Sequence, residues 1–302
     1  MPVHRTDYHF DRRKIMKLLN FRKGNEIRLG IKTDKGVIDV EKAAYANSMK
    51  APVSMEQAIA GGEKALWELG EIIKKDNDFV SEKNMSYAPI LANPEKILCI
   101  GLNYKPHAEE CEMKIPENPV IFSKFNNALS SHNDTVRLPK GAHKFDYEAE
   151  LVIVMGKEAS NVSPEDALSY VFGYTTGNDL SARDLQFVSG QWLLGKTCDG
   201  FAPIGPYLVT AGDVDPDSLD ISCEVNGKLL QSSNTSYMIF DCAAIVSYIS
   251  RYMTLKPGDI IYSGTPDGVV LGYPEHQQVW LKSGDRITVS IENIGSLTTT
   301  LK

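Results

Sequence analysis

The chain runs Phe145-Asp146-Tyr147-Glu148-Ala149-Glu150-Leu151-Val152-Ile153-Val154, two carboxylates leading straight into a short apolar, largely β-branched run. Such a run packs well on a pleated surface and reads as a strand. With the strand taken to begin at Tyr147, Glu148 and Glu150 share one face, about 7 Å apart, while Ala149 and Leu151 face the core. Side by side at the head of an apolar strand, the two carboxylates repel unless a proton or a cation intervenes. Alone, the pair is most simply a solvated strand edge. Asp179 changes its meaning. It closes a second apolar-to-polar passage, Phe172-Gly173-Tyr174-Thr175-Thr176-Gly177-Asn178-Asp179, and is followed by Arg183, Asp184 and Gln186. Three oxygen donors with no His or Cys at ligand spacing suit Mg2+ or Mn2+ rather than Zn2+, and Ca2+ would recruit more protein oxygens. Three carboxylates also leave coordination positions for water and a chelating substrate.

Outward from this strand the texture is β-rich. Residues 96–101, 171–176, 260–263, 287–291 and 298–301 are short apolar or β-branched runs. Asn226-Gly227 between 220–225 and 228–231 predicts a hairpin with a type I′ turn. Lys256-Pro257-Gly258-Asp259 and Lys282-Ser283-Gly284-Asp285 are two similar turns, each feeding a strand. Asp241 caps a helix with Ile245, Val246 and Ile249 on its face, and Ser163-Pro164-Glu165-Asp166 is a helix start. The first 50 residues read as a small meander of 16–21, 26–32 and 37–40. Ser54 and Gln57 then open a helix whose early turns are weakened by Gly61-Gly62. Residues 74–93 are polar and aperiodic, closing before Pro94, and read as a linker. The expected division is 1–93 as a small N-terminal domain with its linker and 94–302 as the functional domain. Strands outnumber helices and rarely alternate with them, which predicts a mixed, largely antiparallel α+β architecture rather than a doubly wound one.

Composition removes several classes. The 302 residues carry 32 Lys+Arg against 39 Asp+Glu, a net charge of −7, with 42% hydrophobic and 24% charged. An acidic chain lacks the basic footprint of a nucleic-acid binder. No apolar run is long enough to span a membrane. Met1-Pro2-Val3-His4-Arg5-Thr6-Asp7 lacks the apolar core of a signal peptide. Cys99, Cys111, Cys198, Cys223 and Cys242 are odd in number and scattered, as reduced thiols are, so the expected location is cytoplasmic. Gly190-Gln191-Trp192-Leu193-Leu194-Gly195-Lys196-Thr197 fits a phosphate-loop pattern. Its context opposes a nucleotide site: a polar stretch precedes it, and Pro203 and Pro206 stand where the helix should run.

Five blocks occur in order: Gly101-Leu102-Asn103-Tyr104 with His107 and Glu110; Glu148 and Glu150; residues 178–186; Gly195-Lys196 with 199–206; and Ser263-Gly264-Thr265-Pro266-Asp267-Gly268-Val269. Together they resemble the fumarylacetoacetate hydrolase superfamily, densely from Pro94 onward and loosely before it. The resemblance implies a mixed β-sheet roll with a small N-terminal α+β domain, in a homodimer. It implies Glu148, Glu150 and Asp179 as ligands of Mg2+ or Mn2+, and His107 with Glu110 as a general-base dyad on a short helix. Lys196 would stabilise an oxyanion, Arg183 and Gln186 would line the site, and Thr265 would bind a substrate carboxylate. His107 and Glu110 at i and i+3 fall on one helix face, with Pro106 at its first position.

The expected activity is metal-dependent chemistry on a small anionic 2-oxo acid, with a stabilised enolate at its centre. Hydrolysis of a carbon–carbon bond in a 2,4-dioxo acid, such as an acylpyruvate, fumarylpyruvate or fumarylacetoacetate, is the first expectation, because the dyad offers a base for water. Decarboxylation of an oxaloacetate-like acid and isomerisation of an oxo-dioate share the enolate. The competing classes are the nucleotide binder and a metal-binding module without turnover.

Overall fold

The computed structural model describes residues 16–302 except Asn77 and Cys111. The signal-peptide reading of residues 1–7 and the thiol reading of Cys111 lie outside the described residues. Eleven strands form one large sheet with the order Gly36–Asp39, Glu26–Thr33, Lys17–Lys23, Ala202–Thr210, Val171–Asn178, Ala149–Met155, Ile260–Tyr262, Ile97–Gly101, Val120–Lys124. Tyr87–Ala88 and Leu129–Ser130 pair onto it from the side. A five-stranded sheet packs against one face, in the order Lys228–Asn234, Asp220–Val225, Arg286–Ile291, Gly295–Leu301, Thr135–Val136. Pairing is mostly antiparallel, with Ile260–Tyr262 parallel to Ile97–Gly101. The β-rich α+β architecture is the one expected.

The strand Ala149–Met155 sits inside the sheet and is buried on both faces, which is why its sequence is continuously apolar from Leu151 onward. Leu151, Ile153 and Met155 join the core shared with the second sheet and the helix Cys242–Ser250. Val152 and Val154 point the other way, into a core closed by Ile59, Leu69 and Ile72 of the helix Met55–Lys75. The alternation is the period-2 rule applied to two interiors.

Four local readings are refined. The strand begins at Ala149, not Tyr147, because Phe145–Asp146 leaves the sheet to pair with Ser181–Ala182. Glu148 is thus the hinge between two pairings. The third N-terminal strand stops at Asp39, whose side chain accepts from the Lys42 N–H and starts the unexpected helix Val40–Ala46. Gly62, with φ 53°, kinks the following helix where the glycine pair weakened it. Residues 74–93 are not a free tether: Ile90 and Leu91 are buried, and Tyr87–Ala88 pairs with Lys17–Lys23. The strand Lys17–Lys23 in turn pairs with Ala202–Thr210, so the N-terminal meander extends the same sheet.

Candidate metal centre and active site

Glu148, Glu150 and Asp179 converge at one end of the paired strands Ala149–Met155 and Val171–Asn178, one oxygen of each within 4.8 Å of the others. All three are buried. The backbone fixes them: Asn178 Oδ1 accepts the Glu148 N–H at 3.0 Å, and Asp179 N–H donates to the Glu148 carbonyl at 3.0 Å. Glu150 accepts from Gly264 N–H at 2.7 Å. Gly264 must be glycine, since φ is +101° and a Cβ would stand 2.7 Å from Asn103 Cβ. Asn103 ties this loop down, donating to the Ser263 carbonyl at 2.7 Å and to the Phe240 carbonyl at 2.9 Å.

Three cations face the acids. Lys196 Nζ donates to Glu148 at 2.5 Å and to Asp179 at 2.9 Å. Lys124 Nζ lies 2.5 Å from the other Asp179 oxygen. Arg183 bridges Glu148 at 2.7 Å and Asp146 at 2.9 Å. Burial pushes the Glu148 carboxyl up, but Lys196, Arg183 and His107 outweigh it and hold it below the usual carboxylate range. For Glu150 nothing compensates enough: burial, then Asp179, then Glu148 push its carboxyl well above that range. With Asp146, four carboxylates stand against three cations, and one carboxylate needs a proton or a metal. The donor set therefore fits a divalent, oxygen-preferring cation: buried carboxylates within bridging distance and no nitrogen or sulfur among them.

His107 and Glu110 lie on the helix Lys105–Glu110, with Pro106 at its second rather than first position. His107 Nδ1 meets Glu110 Oε1 at 2.8 Å. A carboxylate accepts from Nδ1–H, which makes Nε2 the basic nitrogen of the neutral ring. The other Glu110 oxygen accepts from Gly268 N–H at 2.9 Å, so the dyad helix is pinned to the 263–268 loop.

One cleft gathers His107, Glu148, Glu150, Lys196 and Thr265 in its lining, with Arg183 and Gln186 on its wall. Glu110 stands beside His107, and Asp179 beside Lys196. All nine residues singled out in the sequence are thus brought together. Arg183 donates to Asp146, Glu148 and Gln186, so it orients the site's acids before it meets any ligand. An apolar wall completes the cleft, where Trp192 meets Phe122 edge-on at 5.4 Å and Lys196 Nζ sits 5.1 Å over the Phe122 ring.

The phosphate-loop pattern does not form the strand–loop–helix of a nucleotide site, in line with its sequence context. Lys196 ends the single helical turn Leu193–Lys196 and its ammonium is held by the Glu148 and Asp179 carboxylates rather than left to reach a phosphate. The chain then turns into the strand Ala202–Thr210 rather than opening a helix. Four residues in the site escaped the sequence reading. Lys124 also donates to the Phe201 carbonyl at 2.7 Å. Asp146 accepts from Val270 and Leu271 N–H at 2.8 and 3.1 Å, and Asn103 and Gln231 brace the loops. Asp146 had a visible signal, as an acid two residues before Glu148, and Asn103 stood in the first of the five blocks without a role; Lys124 and Gln231 had none.

Comparison with known proteins agrees with this geometry. Residues 96–302 match the model of the fumarylacetoacetate (FAA) hydrolase C-terminal family. A fumarylacetoacetate hydrolase domain-containing protein 2 homolog of Dictyostelium discoideum is 44% identical, covering 91% of this chain and 92% of its own. The mitochondrial oxaloacetate tautomerase fahd2 of Xenopus laevis is 39% identical over 93% of this chain and 89% of its own. A maleylpyruvate hydrolase from Sphingobium, solved with manganese(II) and pyruvate, is 30% identical and superposes with a TM-score of 0.77, covering 95% of this chain and 98% of its own.

Proposed function

The chain belongs to the fumarylacetoacetate hydrolase family, and on that premise we propose that it is a metal-dependent enzyme that interconverts the keto and enol forms of a small 2-oxo acid, oxaloacetate. The observation that carries this reading is a single carboxylate-backed imidazole sharing one cleft with a buried acidic triad. Proton transfer next to a 2-oxo group requires one base and one site of positive charge, and the cleft supplies both. The oxaloacetate tautomerase of Xenopus laevis, matched along nearly the whole chain, supports the choice of substrate.

Glu148, Glu150 and Asp179 would hold Mg2+ or Mn2+, which when bound would polarise the 2-oxo group and offset the charge that builds on its oxygen. His107 Nε2 removes a proton from C3; the C–H electron pair becomes the C2–C3 double bond, the C=O π pair moves onto oxygen, and that oxygen then takes the proton from the His107 imidazolium, giving the enol and restoring the neutral ring. Glu110 keeps the ring oriented and stabilises the imidazolium while it carries the proton. Lys196 spends two N–H bonds on Glu148 and Asp179, leaving the third for the developing oxyanion. Thr265 would receive the substrate carboxylate, with Gln186 and Arg183 bounding the cleft.

A second reading is hydrolysis of a carbon–carbon bond in a 2,4-dioxo acid, with His107 taking a proton from the attacking water. The structural likeness to the manganese- and pyruvate-bound maleylpyruvate hydrolase favours it. The two are separated by supplying enol-oxaloacetate and an acylpyruvate to one preparation with saturating Mg2+ or Mn2+. Loss of the enol's ultraviolet absorbance and release of pyruvate are followed in parallel. The expected result is fast ketonisation, abolished by chelator and lowered about 10²–10⁴-fold in His107→Gln. Brisk acylpyruvate cleavage without ketonisation transfers the assignment to hydrolysis, and pyruvate released from oxaloacetate alone transfers it to decarboxylation. Tight metal binding with no turnover overturns both.

A further inference from the structure

Gln231 lies on the second sheet, in the strand Lys228–Asn234, yet its side chain reaches the strand of the first that carries Glu150. It is 1% exposed and fully engaged. Its Oε1 accepts the backbone N–H of Ala149 at 3.0 Å, the residue between Glu148 and Glu150. Its Nε2 donates to Thr265 Oγ1 and to the Pro266 carbonyl, both at 2.9 Å. The amide has only one consistent orientation. Ala149 N–H can only donate, so the atom facing it is the oxygen; the Pro266 carbonyl can only accept, so the atom facing it is the nitrogen. Both amide protons are then spent, one of them on Thr265.

A hydroxyl has one proton to give and two lone pairs to receive with. Since Gln231 donates into Thr265 Oγ1, that proton must go elsewhere, and among the described residues no acceptor takes it. Thr265 lines the cleft beside the acidic triad. We propose that Gln231 is a positioning residue that fixes the Thr265 hydroxyl as a hydrogen-bond donor toward an anionic oxygen of the bound 2-oxo acid. The inference rests on the reading of Thr265 as a substrate contact and adds what makes it select an anion. The loop is packed closely enough to hold that geometry. Gly268, at φ +96°, lies against the same strand, where a Cβ would stand 2.3 Å from the Leu230 carbonyl oxygen, and its own carbonyl accepts from the Tyr147 hydroxyl at 2.8 Å.

The test uses the full chain saturated with Mg2+ and oxalate as an unreactive anionic probe, with affinity read by calorimetry. A hydrogen bond to a charged group lost on Thr265→Val should weaken oxalate about tenfold or more, while Thr265→Ser should keep wild-type affinity. Gln231→Met should weaken oxalate by a comparable factor and raise KM with little change in kcat, leaving Mg2+ affinity intact; Gln231→Leu serves if the first variant does not fold. The double variant Gln231→Met/Thr265→Val should bind no more weakly than Thr265→Val alone. Full oxalate affinity in Thr265→Val removes the premise and the proposal with it. Weakening in Thr265→Val with wild-type affinity in Gln231→Met leaves the premise standing and overturns the role of Gln231. Additive losses, or lost Mg2+ affinity in Gln231→Met, show a general structural part and overturn it as well.

Discussion

Lys124 ends the short strand Val120–Lys124 and looks in the sequence like any basic residue leaving a sheet. In the fold it is buried against Asp179 and braced by backbone carbonyls from two other segments. Removing it leaves Asp179 with Lys196 alone, and four buried carboxylates against two cations. Lys124→Met should therefore cost about 3–5 kcal/mol of stability in metal-free protein, checked as a lowered denaturant midpoint. Glu150→Gln acts in the opposite sense, because it replaces the carboxyl that burial and like charge already push upward. Metal-free stability should hold or rise in that variant while Mg2+ affinity falls by at least tenfold, measured by titration calorimetry. The contrast explains what was legible. Glu148, Glu150 and Asp179 stood out because charges at the ends of apolar strands are anomalous within a few residues of sequence. Lys124 and Gln231 acquire their roles only from neighbours brought by the fold, and no local pattern marks them.

Among the elements, those specified by their own few residues were read correctly. The two turns before Asp259 and Asp285 are built alike: each Asp accepts from the N–H of the Lys three residues earlier, at 2.7 and 2.8 Å, around a glycine with φ near +90°. Asn226 and Gly227 both have positive φ, as a type I′ turn demands. The helix after Asp39 was hidden because Val37, Ile38 and Val40 read equally well as a continuing strand, and only the Asp39 cap decides. The 263–268 loop sits between these cases, with its glycines visible but its reason not. Gly268→Ala should destabilise by about 1–3 kcal/mol and cut activity, because the loop can back away from the Leu230 carbonyl only by moving Thr265 and the N–H that holds Glu110. Thermal melting and turnover of the same preparation would show the paired loss.

Across the whole molecule, the N-terminal meander is fastened to the rest through Glu82, which accepts from Tyr207 at 2.5 Å and from Tyr87 at 3.0 Å and pairs with Lys32. Burial would raise its carboxyl, but these partners outweigh it and hold it below the usual range. Its contribution is therefore present above the ordinary glutamate value and lost as pH falls through the lower folded one. Wild type should be more stable than Glu82→Gln at neutral pH, and the gap in urea midpoint should close in acid; a constant gap would contradict this. We also propose that two copies associate. Phe187, Val188 and Leu194 leave large apolar surface exposed on one stretch of chain, and light scattering at micromolar concentration should give twice the chain mass. Among the described residues no helix is long and apolar enough to cross a membrane.

The pairing of Lys17 with Val209 also has a consequence in time. A ribosome adding about 5–20 residues per second needs about 10–40 s to make the chain between them. For that interval the strand Lys17–Lys23 has its hairpin partner and, once it is made, the short Tyr87–Ala88 pairing, but its first residues lack their place in the sheet and offer unpaired backbone groups to any passing strand. Contacts so distant along the chain also slow refolding of the finished molecule. This early strand is thus among the late ones to be secured, and the wait for its neighbour leaves its edge exposed to aggregation.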